Sequence, residues 1–281
     1  MDSLKPDIDA LRAQIAALER RTVLAGAPAG RAATARHDER NGEPELADLL
    51  ALPGGLLHEI FATEQRHSGS ALGFTLGLSR SLLAGRRQAM FYLQLHGEAQ
   101  ELGLPYGVGL AGFGLDPDSL VICRIASLPE LLWATEEALA CRAVAGVILD
   151  VTGQPAALDF TVSRRLSLRA AAAGASAFIL RYGKARAASA AQLRWRVEPE
   201  PSAGRPFDAA APGPPRFRVE IEKRRLAGRE AMENRTLILD WIDNGFVAFD
   251  SSRRAGSAPG RIAAPSRPQP AALGHGLSKA G

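Results

Sequence analysis

The sequence predicts an α/β fold built on a mainly parallel central sheet. Three observations lead there. From Leu49 onwards, strand-like apolar runs alternate with helical segments. Two of the runs, 146–151 (GVILDV) and 177–182 (AFILRY), are almost continuously apolar, as strands are when helices cover both faces of the sheet. Three later runs, 193–198 (LRWRVE), 216–225 (RFRVEIEKRR) and 235–241 (RTLILDW), alternate apolar with charged residues, so one face of each meets water.

The elements follow in chain order. Over 7–20, Ile8, Leu11, Ile15 and Leu18 form one apolar stripe on a short helix. Two heptads are too few to stand alone, so the segment 1–21 reads as a docking helix for its own domain or another subunit. Residues 22–44 are rich in Ala, Gly, Pro and Arg without periodicity, a flexible linker. The turn Pro53-Gly54-Gly55 leads into a strand over 56–62, a polar loop over 63–70, and a buried helix over 71–83 carrying Leu72, Leu76, Leu82 and Leu83. Strands at 89–95 and 120–125 come next. Ser127 and Glu130 have the spacing of a capping box, with Pro129 in the first turn where its missing N–H is harmless. After 146–151 a helix runs through 163–174, and the 177–182 strand follows it. The Pro-, Ala- and Gly-rich 199–215 is a loop between two of the closing strands. The core therefore spans 45–250, with amphipathic strands over 193–250. The remainder, 251–281, has Arg253, Arg254, Arg261, Arg267 and Lys279 and no carboxylate, a basic disordered tail.

Composition excludes several classes. No stretch approaches the roughly 18–20 apolar residues of a membrane span, and two cysteines in 281 residues cannot staple a secreted scaffold. The charged N-terminus lacks the apolar centre of a secretory leader, so a cytoplasmic location is expected. His37, His58, His67, His96 and His275 show no metal-ligand spacing. Cys123 and Cys141 sit in apolar company, as buried inert thiols do, and there is no G-x-S-x-G elbow.

On a parallel sheet, ligands lie at the carboxyl ends of the strands. A triphosphate site there needs G-x-x-x-x-G-K-[ST], whose glycines let N–H groups close on phosphate while the lysine neutralises it. This chain offers Arg66, His67, Ser68, Gly69 and Ser70 after Glu64, a degenerate version with no lysine. Asp150 stands where a P-loop protein keeps its magnesium-associated Asp, or else caps the following turn. Glu98 is the nearest candidate for a water-activating acid, or a solvated loop carboxylate. The expectation is a nucleotide-binding fold with an emptied site: no catalytic residue, no metal and no cofactor, ATP included.

The order of these segments resembles the core of the RecA superfamily, with 56–62 as its first core strand, GVILDV as its Walker B strand and AFILRY as the next. Within it, HEIFA, SGSALGFTLGL, LPYGVGLAGFGLDPDSLVICR and LLWATEEALACRAVAGVILDV are similar to the ImuA family, the RecA-like accessory proteins of bacterial damage-induced mutagenesis cassettes. The resemblance covers roughly 1–250. It implies a non-catalytic scaffold of SOS-induced, error-prone translesion synthesis, cytoplasmic and nucleoid-associated on DNA damage. The implied partners are a Y-family-like adaptor, an error-prone replicative-type polymerase and RecA, with homo-oligomerisation as a further expectation. Lys184 and Arg186 fall in the family's second loop, and Lys223, Arg224 and Arg225 in its interface-facing basic segment. They are candidates for contact with a protein or with DNA phosphate, against a plain solvated strand end. The alternatives are a weak ATPase with an atypical phosphate loop, and a non-specific DNA-binding module.

Overall fold

The computed structural model describes residues 46, 49–153, 155–205, 208–226 and 235–249. The docking helix, the linker and the basic tail lie outside them, and with them Ile8, Leu11, Ile15 and Leu18.

Six parallel strands make the centre of the sheet. β1 (Leu57–Ala62), β2 (Ala89–Leu95), β3 (Leu120–Ile125), β4 (Val144–Asp150), β5 (Ser176–Tyr182) and β6 (Leu193–Glu200) lie in the order β3-β2-β4-β5-β1-β6. Every residue of β1, β4 and β5 is buried, which is why their sequences lack a regular polar face. β9 (Arg216–Arg224), β10 (Thr236–Ile242) and β11 (Gly245–Ala248) extend the sheet antiparallel from β6, for nine strands in all. This is the mainly parallel, helix-flanked core expected from the sequence, with the Walker B-like run central.

Helices cover both faces. α1 (Ser68–Ser79), α2 (His96–Leu102) and α3 (Gly107–Gly112) belong to the connections β1–β2 and β2–β3. α4 (Leu128–Ala140) and α5 (Phe160–Ala173) precede β4 and β5. Two apolar clusters result, one on each side of the sheet. One gathers Phe74 and Leu76 of α1 and Leu110 of α3 with Ile60, Ile148, Phe178 and Trp195. The other gathers Leu131 and Leu139 of α4 and Leu166 of α5 with Leu57, Phe91, Val147 and Ile179. Local signals set the α5 ends: Asp159 accepts from the Val162 N–H at 2.8 Å, and Gly174 takes the left-handed conformation (φ 69°) that ends the helix.

The structure departs from the sequence expectations at five places. α1 begins at Ser68 after a 3-10 turn over Gln65–His67, so the polar loop shrinks to Thr63 and Glu64. The capping box at Ser127 does not form: Ser127 has the extended backbone of an N-cap, but its side chain makes no capping bond. α2 and α3 occupy a stretch between two strands for which the sequence predicts no element. The Pro-rich loop contains a small hairpin, β7 (Gly204–Arg205) with β8 (Asp208–Pro212). Finally, Asp243 and Asn244, both at positive φ (51° and 60°), turn β10 back into the unexpected β11.

Candidate functional site

The carboxyl ends of β1, β2, β4 and β5 bring the candidate residues together. Five residues, 63–67, separate β1 from α1, and Gln65–His67 among them form a 3-10 turn. Of the five residues at the degenerate phosphate loop, Arg66 pairs with Glu64 at 2.9 Å on the surface, and Ser68, Gly69 and Ser70 are already helical. His67 turns elsewhere. Its Nδ1 lies 2.6 Å from the carboxylate of Glu198, which reaches over from β6.

Glu198 was not legible as a site residue, and it takes up the polar groups of this corner. It accepts from the Thr63 N–H at 2.7 Å, from the Thr63 hydroxyl, and lies against His67. Burial works to raise its carboxyl, but the bonds from Thr63 and His67 outweigh that and hold it below the ordinary carboxylate range. An internal anion thus satisfies the donors that a bound anion would otherwise use. The cleft of about 170 Å³ beside it is lined by Arg196, Glu198, Arg218, Glu220 and Thr236. Its arginines are matched with carboxylates, Arg196 with Glu220 and Arg218 with Glu200 at 2.8 Å.

Asp150 is held between two tyrosines instead of capping the next turn. Its Oδ2 accepts from the Tyr92 hydroxyl and its Oδ1 from the Tyr182 hydroxyl at 2.7 Å. Burial raises the Asp150 carboxyl against these two bonds, which lower it, while Glu98 adds to the rise. Both phenols are driven well above their ordinary range by burial and then by Asp150. Glu98 is not a solvated carboxylate either. Its Oε1 accepts from the Thr152 N–H at 3.1 Å and from the Thr152 hydroxyl, tying α2 to the end of β4. Neighbouring Gln94, opposite Asp150 in the β2–β4 register, is buried. A magnesium nucleotide would meet no lysine within 63–70 and would have to share the Asp150 oxygens with Tyr92 and Tyr182. Among the described residues no cluster of His, Cys, Asp and Glu could hold a metal.

The five basic candidates separate. Arg186 makes a two-pronged contact with Glu222 (2.7 and 2.8 Å) and lies over the Phe61 ring at 3.9 Å. Lys223 donates to the Ser189 carbonyl at 3.1 Å, and Arg224 is buried. Lys184 and Arg225 are exposed. The loop after β5 is held to the core: Ser189 donates to the buried Glu59 at 2.6 Å, Arg194 bonds Glu59 at 2.8 Å and the Ala187 carbonyl at 3.0 Å, and the Ala190 N–H donates to Ser163. Cys141 is buried as expected, whereas Cys123 is half-buried, with burial pushing its thiol up to about 11.

Comparison with known proteins gives the following. No family model matches. A solved structure of the RadB recombinase is similar over 73% of this chain and 96% of that one, with 13% identity and a TM-score of 0.49. No helix among the described residues is long and apolar enough to cross a membrane. Two relatives, each named Protein ImuA, from Caulobacter vibrioides strains NA1000 / CB15N and ATCC 19089 / CIP 103742 / CB 15, are 30% identical over 241 residues, covering 76% of this chain and 94% of theirs. At that identity and coverage, the chain belongs to the ImuA family.

Proposed function

We propose that this chain is a non-catalytic scaffold of error-prone translesion DNA synthesis. Family membership carries the coarse reading, an accessory protein of a mutagenesis cassette with a RecA-like core. The finer reading is that the fold is kept for assembly with a Y-family-like adaptor and an error-prone polymerase, with RecA a further partner. The observation that carries it is the double occupation of the strand ends: Glu198 on Thr63 and His67, and two tyrosines on Asp150. Each group that would hold a magnesium nucleotide is engaged by the protein itself. The tied-down loop after β5 supports the same reading, since a loop held by Glu59, Ser163 and Lys223 is poorly suited to threading single-stranded DNA.

The test has two arms. Pull-down of the cassette's adaptor by the full chain is expected, and its absence sinks the scaffold. The deletion used to map it should start after Phe249, because 216–224 and 236–248 are core strands whose removal exposes β6. ATP turnover by the purified chain should equal background, and the same in Asp150→Asn. Turnover that Asp150→Asn abolishes would instead make the protein an enzyme.

A further inference from the structure

We propose that two copies of this chain join along β3, edge to edge and antiparallel, with Asp118 of each copy opposite Arg124 of the other. The starting point is an unguarded sheet edge. β3 ends the nine-stranded order, and among the described residues it pairs with β2 alone. One row of N–H and C=O groups along Leu120–Ile125 therefore faces outward. Sheet edges are ordinarily blunted by short strands, prolines, bulges or charges. The opposite edge obeys this, since β11 is only four residues long. β3 is six residues long, pairs with β2 without a register shift, and reads LVICRI, with Arg124 its one charge.

The surroundings are apolar as well. The connection from β2 to β3 has no charged side chain between Glu101 and Asp116. Leu104, Tyr106 and Val108 on it are exposed by 45%, 74% and 68%, and Ile122 on β3 itself by 37%. Gly107 of that connection lies against Pro117, just before β3, and exposed apolar surface beside an open strand edge favours a strand as its occupant.

Charge selects the second copy as that strand. When a strand pairs with itself about a two-fold axis, the axis position fixes every opposing pair. An axis through Val121 sets Leu120 against Ile122 and Asp118 against Arg124, each twice by symmetry. Leu120, Ile122 and Arg124 share one face of the strand, because side chains alternate with period two. Asp118 sits in the turn Pro117–Ser119 directly before the strand, and both Asp118 and Arg124 are exposed. Moving the axis to Ile122 would set Arg124 against Leu120 and leave the acid without its opposite. The apolar pairs and the two ion pairs thus agree on one register. An axis normal to the sheet also keeps each layer on its own side. The two β2–β3 connections, with their uncharged 102–115 stretches, then share one face of the joint sheet, and the two α4 helices share the other.

The experiment measures mass in solution for the full chain across a dilution series. The wild type is expected at twice 29.8 kDa. Arg124→Asp or Asp118→Lys alone sets like charges against each other at two symmetric places, and should raise the dissociation constant by at least about tenfold. Asp118→Lys combined with Arg124→Asp should restore the dimer, which also shows that the changed edge folds. The same register sets Ser119 opposite Cys123, so oxidised Ser119→Cys should run as a cross-linked dimer and Ser119→Cys/Cys123→Ser should not. A monomeric wild type overturns the proposal. So does a dimer indifferent to the single reversals, or a double reversal that fails to reassociate. The inference is independent of the scaffold reading, because mass is read without any partner.

Discussion

Both oxygens of Asp150 accept from buried tyrosines, which makes this strand-end carboxylate a structural acceptor. Asp150→Ala should therefore act on stability, leaving two buried hydroxyls without an acceptor. A loss of about 1–3 kcal/mol is expected in denaturant unfolding, with Asp150→Asn milder because its amide oxygen still accepts one bond. An Asp150→Ala chain as stable as the wild type would remove the tyrosine clamp as an account of this residue. His58 gives the pH dependence. It stacks on Phe178 with ring centroids 4.5 Å apart, and burial pulls its imidazole from 6.5 down to about 3. The unfolded chain binds this proton first as pH falls, so His58 subtracts stability below about pH 6.5 and progressively more towards pH 3. At pH 5 the loss from this one group is at most about 2 kcal/mol. Comparing melting temperatures of wild type and His58→Leu at pH 7.5 and pH 5 checks it: the gap should move in favour of the variant at pH 5. Parallel shifts of the two chains would rule His58 out. Asp150 could be read from the end of GVILDV as a strand-end acid. Its clamp could not, because Tyr92 and Tyr182 reach it only once β2, β4 and β5 are neighbours, and Glu198 reaches Thr63 across 135 residues of chain.

Among the elements, α1 shows most directly how packing overrides propensity. Its glycines at 73 and 77 let aromatic rings close on the helix, and a β-carbon on Gly77 would stand 2.5 Å from the Phe246 ring and 2.8 Å from that of Trp241. Those rings belong to a cluster in which Trp241 and Phe246 lie 4.9 Å apart and Phe74 and Phe246 5.3 Å apart. Replacing glycine by alanine inside a helix ordinarily stabilises it by up to about 1 kcal/mol. At Gly77 the sign should reverse, with overpacking costing about 1–3 kcal/mol. Gly69→Ala, whose β-carbon meets nothing within 4 Å, should be neutral or slightly stabilising. Thermal melts of the two variants give the comparison, and a stabilising Gly77→Ala would mean that the rings yield. The strands were the legible elements, because β4 and β5 are almost continuously apolar and β6, β9 and β10 alternate. The helices between β2 and β3 were not. Gly97, Gly103, Gly107 and Gly109 interrupt any apolar periodicity there, and nothing local reveals that Leu110 is drawn into the core with Phe74 and Trp241.

For the whole molecule, the position of the charge decides where nucleic acid could bind. Subtracting the +5 of residues 251–281 from the chain's +4 leaves −1 for everything before them. Within the described residues the arginines of β6 and β9 largely face carboxylates: Arg196 with Glu220, Arg218 with Glu200, Arg216 with Asp240 at 2.5 Å. Many of the aromatic rings are turned inward, as Phe74, Trp195 and Phe217 are around α1, and the exposed Tyr106, Trp133 and Phe160 lie at three separate helices. A core built this way has little to offer phosphate, so any affinity for DNA should be carried by the tail and should be electrostatic. Five cations allow a dependence of log affinity on log salt no steeper than about −4 to −5 on duplex DNA. Fluorescence anisotropy across a salt series is the measurement, on the full chain and on a chain ending at Phe249. The shorter chain is expected to lose both the binding and the slope while keeping its melting temperature, since β11 and its pairing to β10 remain intact. A slope unchanged by the deletion would place the contact on the core instead, where Lys184 and Arg225 are two exposed cations to reverse next.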